Sequence, residues 1–291
     1  VRMADDIFIY SLNTPHFMKR IYMMTVLLSV FVAAGMAQEI TEENYLKLDK
    51  EIWEAYERQN DSIYALMKRE PERKEALKHE FKKNLEDAQR RNEQAALRFA
   101  SVPSGLQRLF WVRLNLPKDT VEAVWNRLPD EMKTSPYGKS IRMHLDTHQI
   151  EEGARYADFE ATAADGRPFR LSSLEGKYIV LLYDGISCMG EEGRNELKQL
   201  YESTSRDDLE IVVYCISSSP EQLREDYVEK MNLPFTLVSD FKMDHTPFKI
   251  IYGAQARPTV FVIDPTGTVV LKTTGVNPQD LNNIKFKLRK P

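Results

Sequence analysis

Only two cysteines, Cys188 and Cys215, occur in the 291 residues. Two thiols can build neither a disulfide scaffold nor a four-thiolate zinc site. Positive charge is not in excess either. Lys and Arg number 40 against 44 Asp and Glu, for a formal net charge of -4. A basic face of the kind that grips nucleic acid is therefore not expected, nor is a nucleic-acid partner. Glycine is sparse, with 12 in the chain. Gly-rich phosphate loops and Gly-x-Ser-x-Gly elbows are absent, so no cofactor is expected. What remains is a composition that is neither disordered nor fibrous, on a chain long enough for one large or two modest domains.

Residues 18–37 read as a cleavable export signal. Met18, Lys19 and Arg20 form a short basic start, an apolar stretch runs from Ile21 to Ala34, and Gly35-Met36-Ala37 supplies a small-x-small cleavage pattern. The apolar run falls short of the roughly 20 residues of a comfortable membrane span, so no span is expected once the signal is removed. Residues 1–17 carry Asp5 and Asp6 ahead of the basic start, which marks them as a start-site extension with Met18 the true first residue. The mature protein then begins near Gln38, exported and periplasmic, where thiols can be oxidised.

The remainder divides into 38–149 and 150–291. From Thr41 to His148 the apolar residues recur at helical spacing, as with Leu48, Ile52, Tyr56, Ile63 and Met67. A second stripe, Phe81, Leu85, Ala88, Ala95 and Phe99, predicts a helix from Glu72 to Ala100, and Pro71 between the two predicts a helical hairpin. Glu54 with Arg58, and Glu70 with Lys74, form favourable charge pairs four residues apart. Pro103-Ser104-Gly105 ends the second helix. Shorter helices follow, one opened by Thr120 and closed near Pro129, another after Ser135-Pro136.

Near Gly153 the pattern changes. Residues 159–162 and 169–171 flank Asp165-Gly166 and predict a hairpin. Tyr178 to Tyr183 and Ile211 to Ile216 are continuous apolar runs, as in strands buried on both faces. Ser219, Pro220 and Gln222 form a helix-opening box. A short strand is predicted from Phe235 to Val238, a hairpin around Asp264-Pro265-Thr266-Gly267, and a last helix after Asn277-Pro278. The order β-β-β-α-β-α-β-(α)-β-β-α is that of an α/β domain with a mixed sheet.

The segment from Tyr156 to Tyr183 resembles the opening of TlpA/ResA-like thioredoxin-fold proteins of the AhpC/TSA superfamily. The run from Leu237 to Gly267 is similar to that family's later stretch, and 106–150 resembles, more weakly, the helical region that precedes the domain in exported relatives. The implied fold is an α/β thioredoxin-like domain, a mixed central sheet flanked by helices, behind an all-α helical domain. The resemblance puts Pro258 at the family's cis-proline, with Arg257 and Thr259 beside it as the place where an extended thiol substrate docks.

Redox-active relatives carry Cys-x-x-Cys where the strand YIVLLY meets the next helix. A helix N-terminus there favours the thiolate, and the second cysteine resolves the mixed disulfide. This chain reads Asp184-Gly185-Ile186-Ser187-Cys188-Met189-Gly190-Glu191. Counting forward from Gly176 puts Cys188 on the nucleophilic position and Glu191 on the resolving one. Counting back from Leu197 to Tyr201 puts Ser187 and Gly190 there instead. Neither register contains Cys-x-x-Cys. Asp184, Glu191 and Glu192 oppose a thiolate, while the helix end and Arg257 favour one.

The resemblance therefore implies a thiol-disulfide oxidoreductase type with at most monothiol activity through Cys188. Its partner would be an extended peptide or thiol-containing protein in the Pro258 groove. The alternative is a non-catalytic binding or scaffold protein of the envelope. A thiol peroxidase is a third reading, weakened by Leu181 and Gly185 where peroxiredoxins place Pro and Thr or Ser. Cys215 reads as a buried strand residue, with a bond to Cys188 left open. His144 and His148 read as solvated helix residues rather than metal ligands, and no metal site is expected. The aromatic stripe Trp53, Tyr56, Tyr64 and Phe81 offers a surface for a partner or a homodimer.

Overall fold

A computed structural model describes residues 39–275. The expected export signal and the last expected helix lie outside the described residues.

The hairpin forms as its apolar stripes require. Helix α1 (Glu42–Arg69) is opened by Thr41, whose hydroxyl accepts from the Asn44 N–H at 3.2 Å. It buries Tyr45, Ile52 and Ile63 against α2 (Lys74–Arg98), which offers Leu77, Ala88 and Ala95. Pro71 sits in a 3-10 turn (Pro71–Arg73) that separates them. The turn also redirects Glu70, which pairs with Arg73 at 2.5 Å and not with Lys74. Inside the hairpin, polar pairs fix the register. Asn84 donates to Asn60 Oδ1 at 2.7 Å, and Asn92 donates to Asp49 Oδ1 at 2.7 Å.

Two expectations for the next segment need correcting. Pro103 does not only end a helix; it opens α3 (Pro103–Val112), because proline tolerates the first helical position, where no N–H is needed. The following helix, α4 (Lys118–Asn126), starts after Pro117, so Thr120 lies inside its first turn, with its N–H given to the Pro117 carbonyl. A short helix α5 (Asp130–Thr134) precedes α6 (Pro136–Asp146), whose Ser135 cap accepts from the Gly138 N–H.

The second half folds into a seven-stranded mixed sheet. Its strands are β1 (Glu160–Ala163), β2 (Pro168–Arg170), β3 (Tyr178–Tyr183), β4 (Leu209–Tyr214), β5 (Thr236–Ser239), β6 (Thr259–Ile263) and β7 (Val269–Thr274). They lie in the order β2-β1-β5-β4-β3-β6-β7. Strands β3, β4 and β5 run parallel, and β6 returns antiparallel beside β3.

Alternate residues of β3 feed two cores. Val180 and Leu182 meet α7 (Gly190–Glu202) through Leu197 and Leu200. Ile179, Leu181 and Tyr183 meet Phe248 of α9 (Pro247–Ile251) on the other face. Between β4 and β5, α8 (Pro220–Leu223) opens on the Ser219 cap and widens into a π-helical turn over Arg224–Glu229. Ile250 of α9 is buried within the core of the helical region, among Leu106, Phe110 and Ile141, and joins the two halves.

Candidate functional site

The end of the sheet that carries Asp184 is set by strand pairing. β3 ends at Tyr183, which lies opposite Thr259, the first residue of β6. The chain then makes two left-handed steps, Asp184 at φ 47° and Gly185 at φ 70°. Gly185 is required there twice over, by its φ and by its neighbour. A Cβ on it would lie 2.2 Å from the Pro258 nitrogen and 2.4 Å from the Arg257 carbonyl carbon. The Arg257–Pro258 peptide is cis. Thr259 donates to the Ala256 carbonyl at 2.7 Å and closes the bend before it. The structure thus brings Asp184, Arg257, Pro258 and Thr259 together.

A 3-10 turn follows, Ile186–Met189, anchored by Ile186, which is fully buried. Ser187 and Cys188 are both exposed on that turn, and Met189 packs partly against the core. The Cys188 N–H donates to the Gly185 carbonyl at 2.9 Å. The α-helix itself begins two residues later, at Gly190, so neither Ser187 nor Cys188 stands in its first turn. Gly190 and Glu191 are exposed, with Glu191 and Glu192 in the opening turn of α7.

Charge around the loop is organised by residues that the sequence did not single out. Asp184 Oδ1 accepts from the Tyr227 hydroxyl at 2.5 Å, and Asp184 Oδ2 lies 3.6 Å from Arg257 Nε. Arg257 also reaches Asp244 Oδ1 at 3.7 Å, and Asp244 accepts from Lys249 Nζ at 2.6 Å. Burial pushes the Asp244 carboxyl up, but the Lys249 hydrogen bond and the charges of Lys249 and Arg257 outweigh it and hold the group below its usual value. Burial also pushes the Tyr227 hydroxyl up, and the hydrogen bond to Asp184 adds to the shift. Tyr227, Asp244 and Lys249 come from segments far apart in the chain, and no local spacing marks them. Gly185 could have been found, because Asp-Gly directly after a strand is a turn signal.

Cys215 lies one residue beyond β4, fully buried, with its thiol pushed well up by burial. Both cysteines are free thiols. His144 corrects an expectation. It faces inward and is 2% exposed, because α6 turns that side toward the sheet domain, and burial first, then Arg113 and Lys118, lower its pKa to about 4. His148 lies beyond the end of α6, so the two do not share a helix face. Two cavities, one between α1 and α2 and one beside Phe159, Tyr214, Phe248 and Tyr252, have neither Cys188 nor Pro258 in their walls.

No curated protein matches the chain. Residues 153–272 match the AhpC/TSA family. Among solved structures, the thioredoxin domain of a thiol-disulfide oxidoreductase from Bacteroides vulgatus is similar at TM-score 0.42 and 19% identity, over 49% of this chain and 100% of that one. A thiol-disulfide oxidoreductase from Bacteroides fragilis gives 0.41 and 18%, over 46% and 99%. A peroxiredoxin-like protein from Aquifex aeolicus gives 0.39 and 16%, over 48% and 89%. Residues 153–272 form a thioredoxin-like domain with a mixed sheet, set behind an amino-terminal helical region.

Proposed function

We propose that this is an exported thiol-disulfide protein of the cell envelope that captures one sulfur of an extended peptide through Cys188 and does not complete dithiol exchange. The observation that carries the reading is the placement of an exposed Cys188 on the turn that follows Gly185, whose backbone is packed against the cis peptide at Pro258. The signal-like residues 18–37 support export.

In the step proposed, the Cys188 thiolate attacks one sulfur of a peptide disulfide. A new S–S bond forms to Cys188 Sγ, and the other substrate sulfur leaves as a thiolate that takes a proton from water. Cys215, buried and held as the thiol, does not resolve the product, which then awaits an external thiol. The test is mass spectrometry of the purified protein after incubation with a disulfide-bonded peptide. One adduct on Cys188, lost in Cys188→Ser, is expected, together with no catalytic reduction of insulin. Absence of the adduct, or sustained insulin turnover, overturns the proposal.

A binding-only role is favoured by a different observation. Asp184 at the mouth of the loop is committed to Tyr227 and Arg257, and Glu191 and Glu192 already complement the start of α7. Peptide retention that survives Cys188→Ser and reductant selects that reading, with the Pro258 groove or the aromatic stripe of the helical hairpin as the docking surface.

A further inference from the structure

Four buried side-chain atoms among the described residues have no hydrogen-bond partner: Arg113 Nε, Arg113 Nη2, His144 Nε2 and the Tyr183 hydroxyl. They come from the turn after α3, from α6 and from the end of β3, where the helical region meets the sheet domain. Such groups are rarely left unsatisfied, and here the Arg113 charge acts on both of the other two residues, His144 and Tyr183.

All four are donors. Gln149 Nε2 lies 3.2 Å from His144 Nδ1, so Nδ1 accepts and the ring proton sits on Nε2. Arg113 Nη1 is already spent on the Phe110 carbonyl at 2.6 Å and on Gln255 Oε1 at 3.3 Å. The two donors left over, Nε–H and Nη2–H, form one edge of the guanidinium, the fork that fits two oxygens of a carboxylate, phosphate or sulfate. Arg113 is fully buried, and no carboxylate among the described residues lies within ion-pair distance of it. The carboxylate that acts on it, Asp244, is taken by Lys249 and Arg257. A single water accepts two hydrogen bonds and carries no charge. It satisfies neither the four donors nor the unpaired cation.

We propose that Arg113, Tyr183 and His144 bind a small oxyanion between the helical region and the sheet domain, held by the Nε/Nη2 fork of Arg113 and the hydroxyl of Tyr183. The site is independent of any chemistry at Cys188. Its occupant ties the turn after α3 to the last residue of β3, one position before Asp184.

The test follows the melting temperature of the purified protein as sodium formate, acetate, phosphate or sulfate is titrated against chloride at constant ionic strength. A saturable rise of about 3 °C or more is expected, because a ligand that binds only the folded state stabilises it by mass action. Carboxylates as the stronger arm identify a planar ligand, and phosphate or sulfate a tetrahedral one. Arg113→Met removes the fork and the buried charge together. It should melt no lower than the wild type without anion and lose the saturable rise. Tyr183→Phe removes one donor and should move half-saturation up about fivefold. A wild type that shows no saturable rise overturns the proposal. So does chloride acting as well as the oxyanions, or Arg113→Met responding as the wild type does. If Arg113→Met does not fold, equal half-saturation in Tyr183→Phe and wild type overturns it.

Discussion

The two halves of the molecule hold themselves together differently. Helix α1 runs for 28 residues and buries only Tyr45, Ile52, Asn60 and Ile63. Strand β3 runs for six and buries every residue but Tyr178. A strand sandwiched between two helical layers has no solvent face, so every position must be apolar. A two-helix hairpin needs only one stripe, and its remaining faces are free to carry charge. The sheet domain therefore gets its rigidity from dense apolar layers. The hairpin depends on a thin seam reinforced by half-buried pairs such as Asn84 with Asn60. The candidate site is built on the rigid half. The unpartnered donors arise where the shorter helices that follow the hairpin are laid against the sheet domain.

Two glycines break this comparison most sharply. A Cβ at Gly185 would sit 2.2 Å from the Pro258 nitrogen, and one at Gly105 would sit 2.0 Å from the Phe99 carbonyl oxygen. Backbone lies on the other side of both contacts, so neither can yield cheaply. Gly185→Ala adds a left-handed φ of 70° to the clash. It should lower unfolding free energy by about 3 kcal/mol or more and abolish capture at Cys188. Gly105→Ala should destabilise by a similar amount while leaving the Cys188 turn intact. Urea unfolding followed by tryptophan fluorescence checks this, since Trp53, Trp111 and Trp125 all lie in the helical half. If Gly185→Ala shifts the tryptophan transition as far as Gly105→Ala does, the two halves unfold as one unit and the contrast between them is structural only.

The same contrast explains what could be read from the sequence. Continuous apolar runs gave away β3 and β4, because few other arrangements accept YIVLLY. β4 nevertheless ends at Tyr214, so Cys215 and Ile216 fall beyond it, although the Cys215 N–H still reaches the Val238 carbonyl at 2.7 Å. Pro71 marked the hairpin turn correctly. Pro103 misled, because proline ends one helix and starts another with equal ease. The resemblance located the cis peptide at Pro258, and only the structure showed Gly185 pressed against it. Tyr227, Asp244, Lys249 and Arg113 stayed hidden, since their roles depend on tertiary contacts between segments with no shared spacing. His144 was misread because its helix turns toward a second domain, and periodicity within one helix cannot show that.

His144 sharpens the comparison next. Its pKa falls from 6.5 to about 4 on folding. Above pH 6.5 the ring is neutral in both states and its share of stability is complete. As pH falls from 6.5 toward 4, the unfolded chain takes up the proton first and stability is lost. The loss reaches about 2 to 3 kcal/mol near pH 4 in a buffer free of oxyanions. His144→Leu should flatten that part of the profile, with urea midpoints at pH 7 and pH 4.5 as the measure. A variant that keeps the wild-type slope shows that other groups carry the acid sensitivity.

Tyr227→Phe acts inside the sheet domain. It removes the hydrogen bond to the Asp184 carboxylate and leaves the ring in place. A bond to a charged acceptor is worth about 1.5 to 3 kcal/mol, and Arg257 remains to hold the carboxylate, so the lower end is expected. Hydrogen exchange should rise at Asp184 to Met189 and stay unchanged in α1 and α2.

The smallest effect belongs to the hairpin surface. Glu54 lies 3.7 Å from Arg58 and 3.6 Å from Lys50, with its side chain 47% exposed and those of its partners 70% and 75% exposed. Solvent screens such pairs, and holding long side chains in one geometry removes entropy that offsets the attraction. Glu54→Gln should therefore change stability by only about 0.3 kcal/mol, and that difference should vanish in 1 M salt. A loss of about 1 kcal/mol that persists at high salt would mean that the exposed faces of the hairpin contribute more than their seam. The thin half would then be held by its charges, and the contrast with the sheet domain would be one of kind as well as of density.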